Sequence, residues 1–444
     1  MMNRSIEQQT RRWAGAATTC MLLLVTACHG LLDVSNPTIV QDQDIANASG
    51  AAARRYGVIA NFDYAVVNGL QRVAMFTDER TFDARLSGNN NFQMLDQRNS
   101  EGYESLMQGQ DPHLGAWDYV VTLAAIAIPP IRAYAADSAR GDLLAQLYAL
   151  RGYAIVQMAE DVCPGFPIND VTADNRVAYS GPYTTDSAFR HGMAQLDSAI
   201  KYAHDSVQFL DLARVVKGRA LLGLGRYTEA AAAVAGVPAD FVYNTDASII
   251  GVTPPDIFSW THGGARQAVG NHEGGNGLLF VSAGDVRVTT ALTSPVVTRY
   301  ADSTDTLYYS TKYPNANTPT VVASGVEARL IRAEVALRTN DATWLDTLNA
   351  LRATVGLAAL AMPASDAGKV DALFSERAFW LYLTGRRLGD LRRLIRNYGR
   401  APETVFPTGL YPLGGTYQGA TAIPFVFENE SRYNPLIKSG CTTR

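Results

Sequence analysis

Residues 376 to 393 read Glu-Arg-Ala-Phe-Trp-Leu-Tyr-Leu-Thr-Gly-Arg-Arg-Leu-Gly-Asp-Leu-Arg-Arg and form the most distinctive segment of the chain. The segment combines five arginines with two carboxylates, Glu376 and Asp390. Carboxylates pair with arginines three or four residues away on a helix, and the planar guanidinium also suits pairing between helices. We therefore expect this charged cluster to hold helices together, with a basic patch for phosphates as the alternative.

Helical patterns dominate the chain on either side of this segment. One predicted apolar face is formed by Leu143, Leu147, Leu150, Ala154 and Met158. In residues 213–235, Gly218 and Ala220 precede a turn at Gly225, an arrangement that is similar to the junction between tetratricopeptide units. Residues 330–351 repeat this arrangement less clearly. The alternative to a tetratricopeptide-like repeat is a generic helical hairpin. Small residues let paired helices approach closely, so the sequence predicts a mainly α-helical fold.

Composition divides the part of the chain that follows residue 44 into four segments. These are an N-terminal helical part at 45–235, a loop-rich insertion at 236–325, a C-terminal helical part at 326–400 and an irregular tail at 401–444. Within the insertion, residues 278–281 and 286–289 are predicted strands. Prolines exclude long helices from the tail.

The N-terminus has the charge and hydropathy pattern of a signal peptide. Arg4, Arg11 and Arg12 precede fifteen uncharged residues, 13–27, which are too few to span a bilayer as a helix. The end of this stretch and the cysteine after it, Val25-Thr26-Ala27-Cys28, resemble the lipobox of bacterial lipoproteins. We expect removal of residues 1–27, lipidation of Cys28 and a short leader at 28–44. An ordinary secretory signal with an incidental Cys28 is the alternative. Two or three acyl chains would give a lasting membrane anchor.

Charge and cysteine content restrict the classes of partner. Without residues 1–27 the chain has 35 basic and 41 acidic residues, a net charge of −6, which argues against nucleic acid as a partner. Only Cys163 and Cys441 then remain besides Cys28; a bridge between them is possible, but the sequence does not decide it. The longest later apolar run, residues 119–131, has thirteen residues and contains Pro129-Pro130, so no further membrane span is expected.

The segment at 376–393 resembles the signature of the SusD/RagB family of nutrient-uptake lipoproteins. The matching positions are Glu376, Arg377, Gly385, Arg387, Asp390, Leu391, Arg392 and Arg393. Asp78-Glu79 after an early helix also agrees with the family, whereas Trp380 stands where its members often have Glu, which indicates a divergent branch. The resemblance implies a right-handed scaffold of tetratricopeptide-like hairpins. It also implies an outer-membrane lipoprotein at the cell surface that captures glycans or peptides and covers a SusC-like TonB-dependent transporter.

Patterns typical of catalysis are not convincing in this sequence. It contains no Gly-x-Ser-x-Gly elbow, no His-Glu-x-x-His pair and no Walker loop, and its six histidines form no ligand pair at helical spacing. Ser198 and Lys201 match a Ser-x-x-Lys motif but lack its companion motifs. We therefore expect a binding protein with no catalytic residue, metal or cofactor.

Two polar and aromatic clusters are the candidate ligand surface, because loops on a rigid scaffold usually carry binding groups. The first comprises Arg80, Phe82, Arg85, Asn89 and Phe92, and the second Trp260, His272 and Asn276. Each aromatic residue has a buried loop anchor as its alternative role. Two other functions stay open: a periplasmic helical-repeat scaffold for protein partners, and a surface hydrolase with an unrecognised site.

Overall fold

Helices and short two-stranded sheets make up the structure, a computed structural model that describes residues 45–82, 90–107, 110–246, 257–258, 267–292 and 306–442. The sequence expectations for Cys28, Arg85, Asn89 and Trp260 lie outside these residues. Asn47–Arg444 forms one unit. The prediction of a mainly helical fold is confirmed.

Fourteen helices lie in the described part of the chain. They are α1 (Ala48–Phe76), α2 (Asn90–Asp96), α3 (Ser100–Leu106), α4 (Leu114–Tyr134), α5 (Asp137–Asp161), α6 (Thr185–Tyr202), α7 (Val207–Gly223), α8 (Tyr227–Val234), α9 (Gly325–Arg338), α10 (Thr343–Ala353), α11 (Asp366–Trp380), α12 (Arg387–Tyr398), α13 (Pro402–Val405) and α14 (Phe427–Tyr433). Side-chain caps fix several starts. The Ser324 side chain accepts from the backbone N–H of Glu327 at the start of α9, for example, which satisfies a donor that the helix leaves free.

The described strands pair two by two, all antiparallel. They are β1 (Arg80–Phe82) with β5 (Gln267–Val269), β2 (Asp170–Val171) with β3 (Val177–Ala178), β4 (Val242–Asn244) with β8 (Val321–Ser324), and β6 (Thr290–Leu292) with β7 (Tyr308–Ser310). The strands predicted at 278–281 and 286–289 are wrong, since both segments form turns. Phe280 and Val288 are buried there as loop anchors, and burial of isolated side chains imitates the pattern of a strand.

Glycines set the distance between consecutive helices. A methyl group on Gly152 of α5 would lie 2.7 Å from Cγ of Leu196 in α6, and one on Gly218 of α7 would lie 2.6 Å from a methyl of Val234 in α8. Contacts that short do not occur between carbon atoms, so only glycine permits these crossings. Gly225, at φ 69°, forms the turn between α7 and α8.

Helix α4 is a core helix with an apolar outer face. Trp117, Val121 and Ile128 belong to the largest core cluster, beside residues of α1 and α5. Pro129 and Pro130 lie inside its last turns. By length and composition this helix could also cross a membrane, and 44% of its most apolar window is buried in the protein.

The tail after residue 400 is fastened to the end of α5. Cys163 and Cys441 are joined by a disulfide, which settles the pairing that the sequence left open. Ile423 adds a pair of backbone hydrogen bonds, one from the N–H of Cys163 at 3.0 Å and one to the carbonyl of Asp161 at 2.9 Å. Because these contacts join residues far apart in sequence, they limit the freedom of the tail.

Three carboxylates meet where this tail packs on α4. The N–H of Val426 donates to Asp111 over 2.8 Å. Burial raises the pKa of Glu430 to about 7, and Asp111 and Asp118 add to the shift. Burial likewise raises the pKa of Asp118 to about 6. Ionisation of Glu430 therefore works against its burial in the docked tail.

Candidate functional site

The signature residues of α11 and α12 form a buried network of ion pairs. Arg377 donates two hydrogen bonds to Asp390, of 2.8 and 2.9 Å, and both side chains are almost fully buried. Arg393 makes a second bidentate pair, with Glu334 of α9, at 3.1 and 2.9 Å. Burial alone would raise the pKa of Asp390, but Arg377 and Arg393 hold it down to about 2. The network joins three helices.

Glu376 connects the network to the loop-rich segment. It accepts hydrogen bonds from Arg287 at 2.6 and 3.2 Å and from Arg352 of α10 at 2.5 Å. The guanidinium of Arg287 also stacks between Phe379 and Trp380, 5.2 and 5.1 Å from the ring centres. Trp380, the departure from the family pattern, thus covers a buried cation.

A second part of the signature is fixed to the end of α1. Arg387 donates to both carboxylate oxygens of Asp78, at 2.7 and 2.8 Å. Burial alone would raise the pKa of Asp78, but the positive charge of Arg387 lowers it, so the pair is ionised. Glu79 accepts from the N–H of Leu383 at 2.8 Å. The early Asp78-Glu79 pair is therefore the docking point for the turn that precedes α12.

That turn has two residues with left-handed backbone. Leu383 has φ 49° and Gly385 has φ 77°. A left-handed leucine is strained, and hydrogen bonds on both sides retain it: its N–H donates to Glu79, and its carbonyl accepts from the hydroxyl of Tyr313 at 2.7 Å. Gly385 in the signature supplies the positive φ that reverses the chain into α12.

Beside this turn lies a group of buried, titratable side chains. Burial raises the pKa of Glu79 to about 7 and lowers that of Lys312 to about 8. Lys312 donates to the carbonyl of Tyr382, and Arg80 donates to Gln267. These groups stabilise the turn and the first residues of β1 and β5.

The β1–β5 pair joins two stretches of chain that neighbour the predicted ligand clusters in sequence. Phe82, at the end of β1, is paired with Gln267, at the start of β5. Phe82 belongs to the first cluster, whereas His272 and Asn276 of the second follow the other end of β5, beyond Val269, which is paired with Arg80. The two strands lie far apart in sequence, and no local pattern predicted this pairing.

The described members of the two clusters differ in how far their side chains are exposed. Arg80, Phe82 and Phe92 are 1%, 5% and 3% exposed. A ligand contacts only accessible atoms, and these three side chains offer almost none in this structure; their part in ligand binding stays a prediction. Phe82 is also held by its N–H, which donates to Asp96 at 2.8 Å.

His272 and Asn276 are exposed, as a surface contact requires. The Asn276 amide also donates to the carbonyls of Glu403 and Phe406, at 3.0 and 2.8 Å, and thereby fixes the loop onto the tail. His272 has φ 63° and precedes a short 3-10 turn at Glu273–Gly275. Within the described ranges, no group of three or more His, Cys, Asp or Glu side chains is arranged to hold a metal ion.

Sequence reasoning missed several residues that position these groups. Arg287, Lys312 and Gln267 contribute through contacts with distant residues, and their local sequence contains no signal of this role. Glu334 lies within the helical repeat at 330–351 and Arg352 directly follows it, and both agree with the family pattern in the sequence.

The fold of this chain is similar to that of SusD superfamily proteins, so the chain has the SusD-like fold. At the sequence level no family model matches the chain, and no curated protein is similar to it.

Three solved structures define the likeness. A SusD superfamily protein from Bacteroides thetaiotaomicron is similar over 90% of this chain and 99% of its own, with a TM-score of 0.63 and 15% identity. Surface glycan-binding protein A from the same organism, in complex with laminarihexaose, covers 89% of this chain and 99% of its own, with a TM-score of 0.64 and 14% identity. Surface glycan-binding protein A from Bacteroides uniformis reaches a TM-score of 0.59 over 88% of this chain and 99% of its own, with 15% identity.

Proposed function

We propose that this protein is a lipid-anchored, glycan-binding subunit that captures oligosaccharides and covers a SusC-like TonB-dependent transporter of the outer membrane. The observation that carries the proposal is the SusD-like fold, which extends over nine-tenths of the chain and which a laminarihexaose-binding surface protein shares. The lipobox at Cys28 supplies the anchor, and the cell surface is the proposed location. Peptides are the alternative ligand.

The proposed ligand surface lies around the β1–β5 sheet. Its support is this antiparallel pairing, which puts Arg80 and Phe82 of the first cluster beside β5, the strand that leads to His272 and Asn276 of the second. In sequence, Arg85 and Asn89 follow β1, and Trp260 precedes β5. His272 follows β5 and is exposed. Sugar rings stack on aromatic faces while amides and guanidinium groups bind their hydroxyls, so this mixture of side chains suits a glycan.

Binding is tested by calorimetric titration with laminarihexaose and a panel of other neutral oligosaccharides. Loss of one stacking aromatic costs about 1 kcal/mol, so Trp260→Ala should weaken binding about fivefold. The matched control is Tyr433→Ala, an exposed aromatic residue of α14 that is 64% exposed. Equal effects of the two substitutions, or binding of peptides alone, would contradict a glycan site at this sheet.

Anchoring and partnership need a separate experiment. The full chain should fractionate with outer membranes and co-purify with a TonB-dependent barrel after detergent extraction, whereas Cys28→Ala should release it. Protease added to intact cells should cleave a surface protein; protection would favour the periplasmic scaffold. Product formation from the oligosaccharide panel would instead favour a hydrolase.

A further inference from the structure

A charged cleft at the junction of α6, α12 and the disulfide-linked tail has no part in the function proposed above. Its volume is about 550 Å³. The walls include Thr184 and Thr185 at the start of α6, Arg392 and Arg396 of α12, and Thr442 of the tail. The N–H of Thr442 donates to the carbonyl of Pro164 at 2.9 Å, so the bridge between Cys163 and Cys441 keeps this wall in position.

Arg392 differs from the other signature arginines. Arg377, Arg386, Arg387 and Arg393 each have a carboxylate within 4 Å. In the part of the chain that the structure describes, no carboxylate lies that close to Arg392, although its side chain is only 8% exposed. A buried cation without a counter-ion is unfavourable, so this guanidinium can gain from a nearby anion.

Neutral oxygen atoms compensate only part of the charge of Arg392. One terminal nitrogen, Nη1, donates to the carbonyls of Ala159, Glu160 and Val162, at 3.2, 2.5 and 3.1 Å, and so caps the C-terminus of α5. The other, Nη2, has a single contact among the described residues, at 3.5 Å from the hydroxyl of Thr185 at the cleft. Burial and the charge of Arg396 lower the pKa of Arg392 to about 10, although the more distant carboxylates of Asp161 and Glu160 act in the opposite direction.

The start of α6 adds further donors to the same wall. Helix α6 has eighteen residues, and the N–H groups of Thr185 and Asp186 have no acceptor within it. The aligned peptide dipoles also favour an anion at this end. The Asp186 carboxylate lies here, 2.5 Å from Arg396 and 4.0 Å from Arg190. The cleft thus has two cations and a helix N-terminus facing one carboxylate.

We propose that this cleft is a binding site for a compact oxyanion, the carboxylate or sulfate group of an acidic sugar, held between Arg392, Arg396 and the first turn of α6. Arg396 bridges the cleft to solvent, since its side chain is 34% exposed, and Arg392 closes the interior. Asp186 competes with the ligand for Arg396 and limits its affinity.

The test is calorimetric titration of the full-length protein at low ionic strength, with glucuronate and inorganic sulfate as probes and glucose as the neutral comparison. A hydrogen bond to a charged group contributes about 1.5–3 kcal/mol, so Arg396→Gln should weaken anion binding at least about tenfold. Asp186→Asn should strengthen it, a change that damage to the fold could not produce. The matched control Arg176→Gln removes an exposed arginine, also paired with an aspartate, from the β2–β3 hairpin and should change nothing.

Binding of glucuronate but not glucose, with these opposite responses, supports the acidic-sugar site; the same responses for sulfate alone restrict the ligand to sulfate groups. Equal affinities in wild type and Arg396→Gln, or equal losses in Arg176→Gln, would overturn the proposal. Because the cleft is distinct from the β1–β5 sheet, laminarihexaose binding should be unchanged in Arg396→Gln. The two proposals can therefore fail independently.

Discussion

The ion pair between Asp78 and Arg387 should be essential for stability, and Asp78→Asn is the change that tests it. The substitution keeps the shape of the side chain but removes its charge and one of its acceptors. Asp78 is fully buried and accepts two hydrogen bonds from Arg387, at 2.7 and 2.8 Å. Removing one partner of a buried pair costs about 3–5 kcal/mol, because the other charge stays buried and unpaired. We expect a loss of that size in the free energy of unfolding.

The double variant separates pairing from burial. Arg387→Met removes the second charge, so Asp78→Asn with Arg387→Met should lose less stability than the sum of the single changes. Contacting residues typically differ from additivity by about 0.5–3 kcal/mol. Urea denaturation followed by circular dichroism measures all three variants, provided that the dependence on urea stays unchanged.

Exposed charges provide the comparison. Asp174 pairs with Arg176 at 2.6 Å, but both side chains are more than half exposed, so Asp174→Asn should leave the denaturation midpoint unchanged. If Asp78→Asn costs less than about 1 kcal/mol, or if the double variant is strictly additive, this pair is not what attaches the signature turn to α1.

Three further predictions concern the tail and the helix crossings. Burial raises the pKa of Glu430 to about 7 from an ordinary 4.5. The protonated side chain therefore stabilises the fold fully below about pH 4.5, and this stabilisation is lost as pH rises through 7. Glu430→Gln should raise the melting temperature at pH 8 and not at pH 4. Cys441→Ser should cost about 2–5 kcal/mol, and a reductant should destabilise wild type but not the variant. Gly152→Ala should lower the urea midpoint because its new methyl meets Leu196, whereas Gly57→Ala in α1, with open space around it, should raise the midpoint.

Much of the helical framework could be predicted because its signals are local. Leu147, Leu150, Ala154 and Met158 recur at helical spacing, and all four are buried in α5. Gly218 was correctly interpreted as a point of close approach between helices. The strand predictions were wrong, since isolated buried anchors such as Phe280 resemble strand residues when only neighbours in sequence are considered.

The ligand clusters show the limit of local reasoning. Aromatic and polar residues after α1 suggested a binding surface, but whether each faces solvent depends on elements far away in sequence. Arg80 is buried by β5 and its surroundings, while His272 is exposed. The local sequence looks the same whether such a residue is buried or exposed. Only the folded structure shows which of them a ligand could reach.

By itself, the sequence determined the class of fold and the charged signature, because helix periodicity and clustered arginines are encoded within a few turns of chain; the anchor at Cys28 stays a prediction. Tertiary structure decided which carboxylate each arginine binds: Arg387 pairs with Asp78 across 309 positions, whereas Arg392 has no carboxylate partner among the residues that the structure describes. It also decided the bridge between Cys163 and Cys441, which are 278 positions apart. Such pairings form only when packing removes both partners from water together, and no pattern of neighbouring residues specifies that.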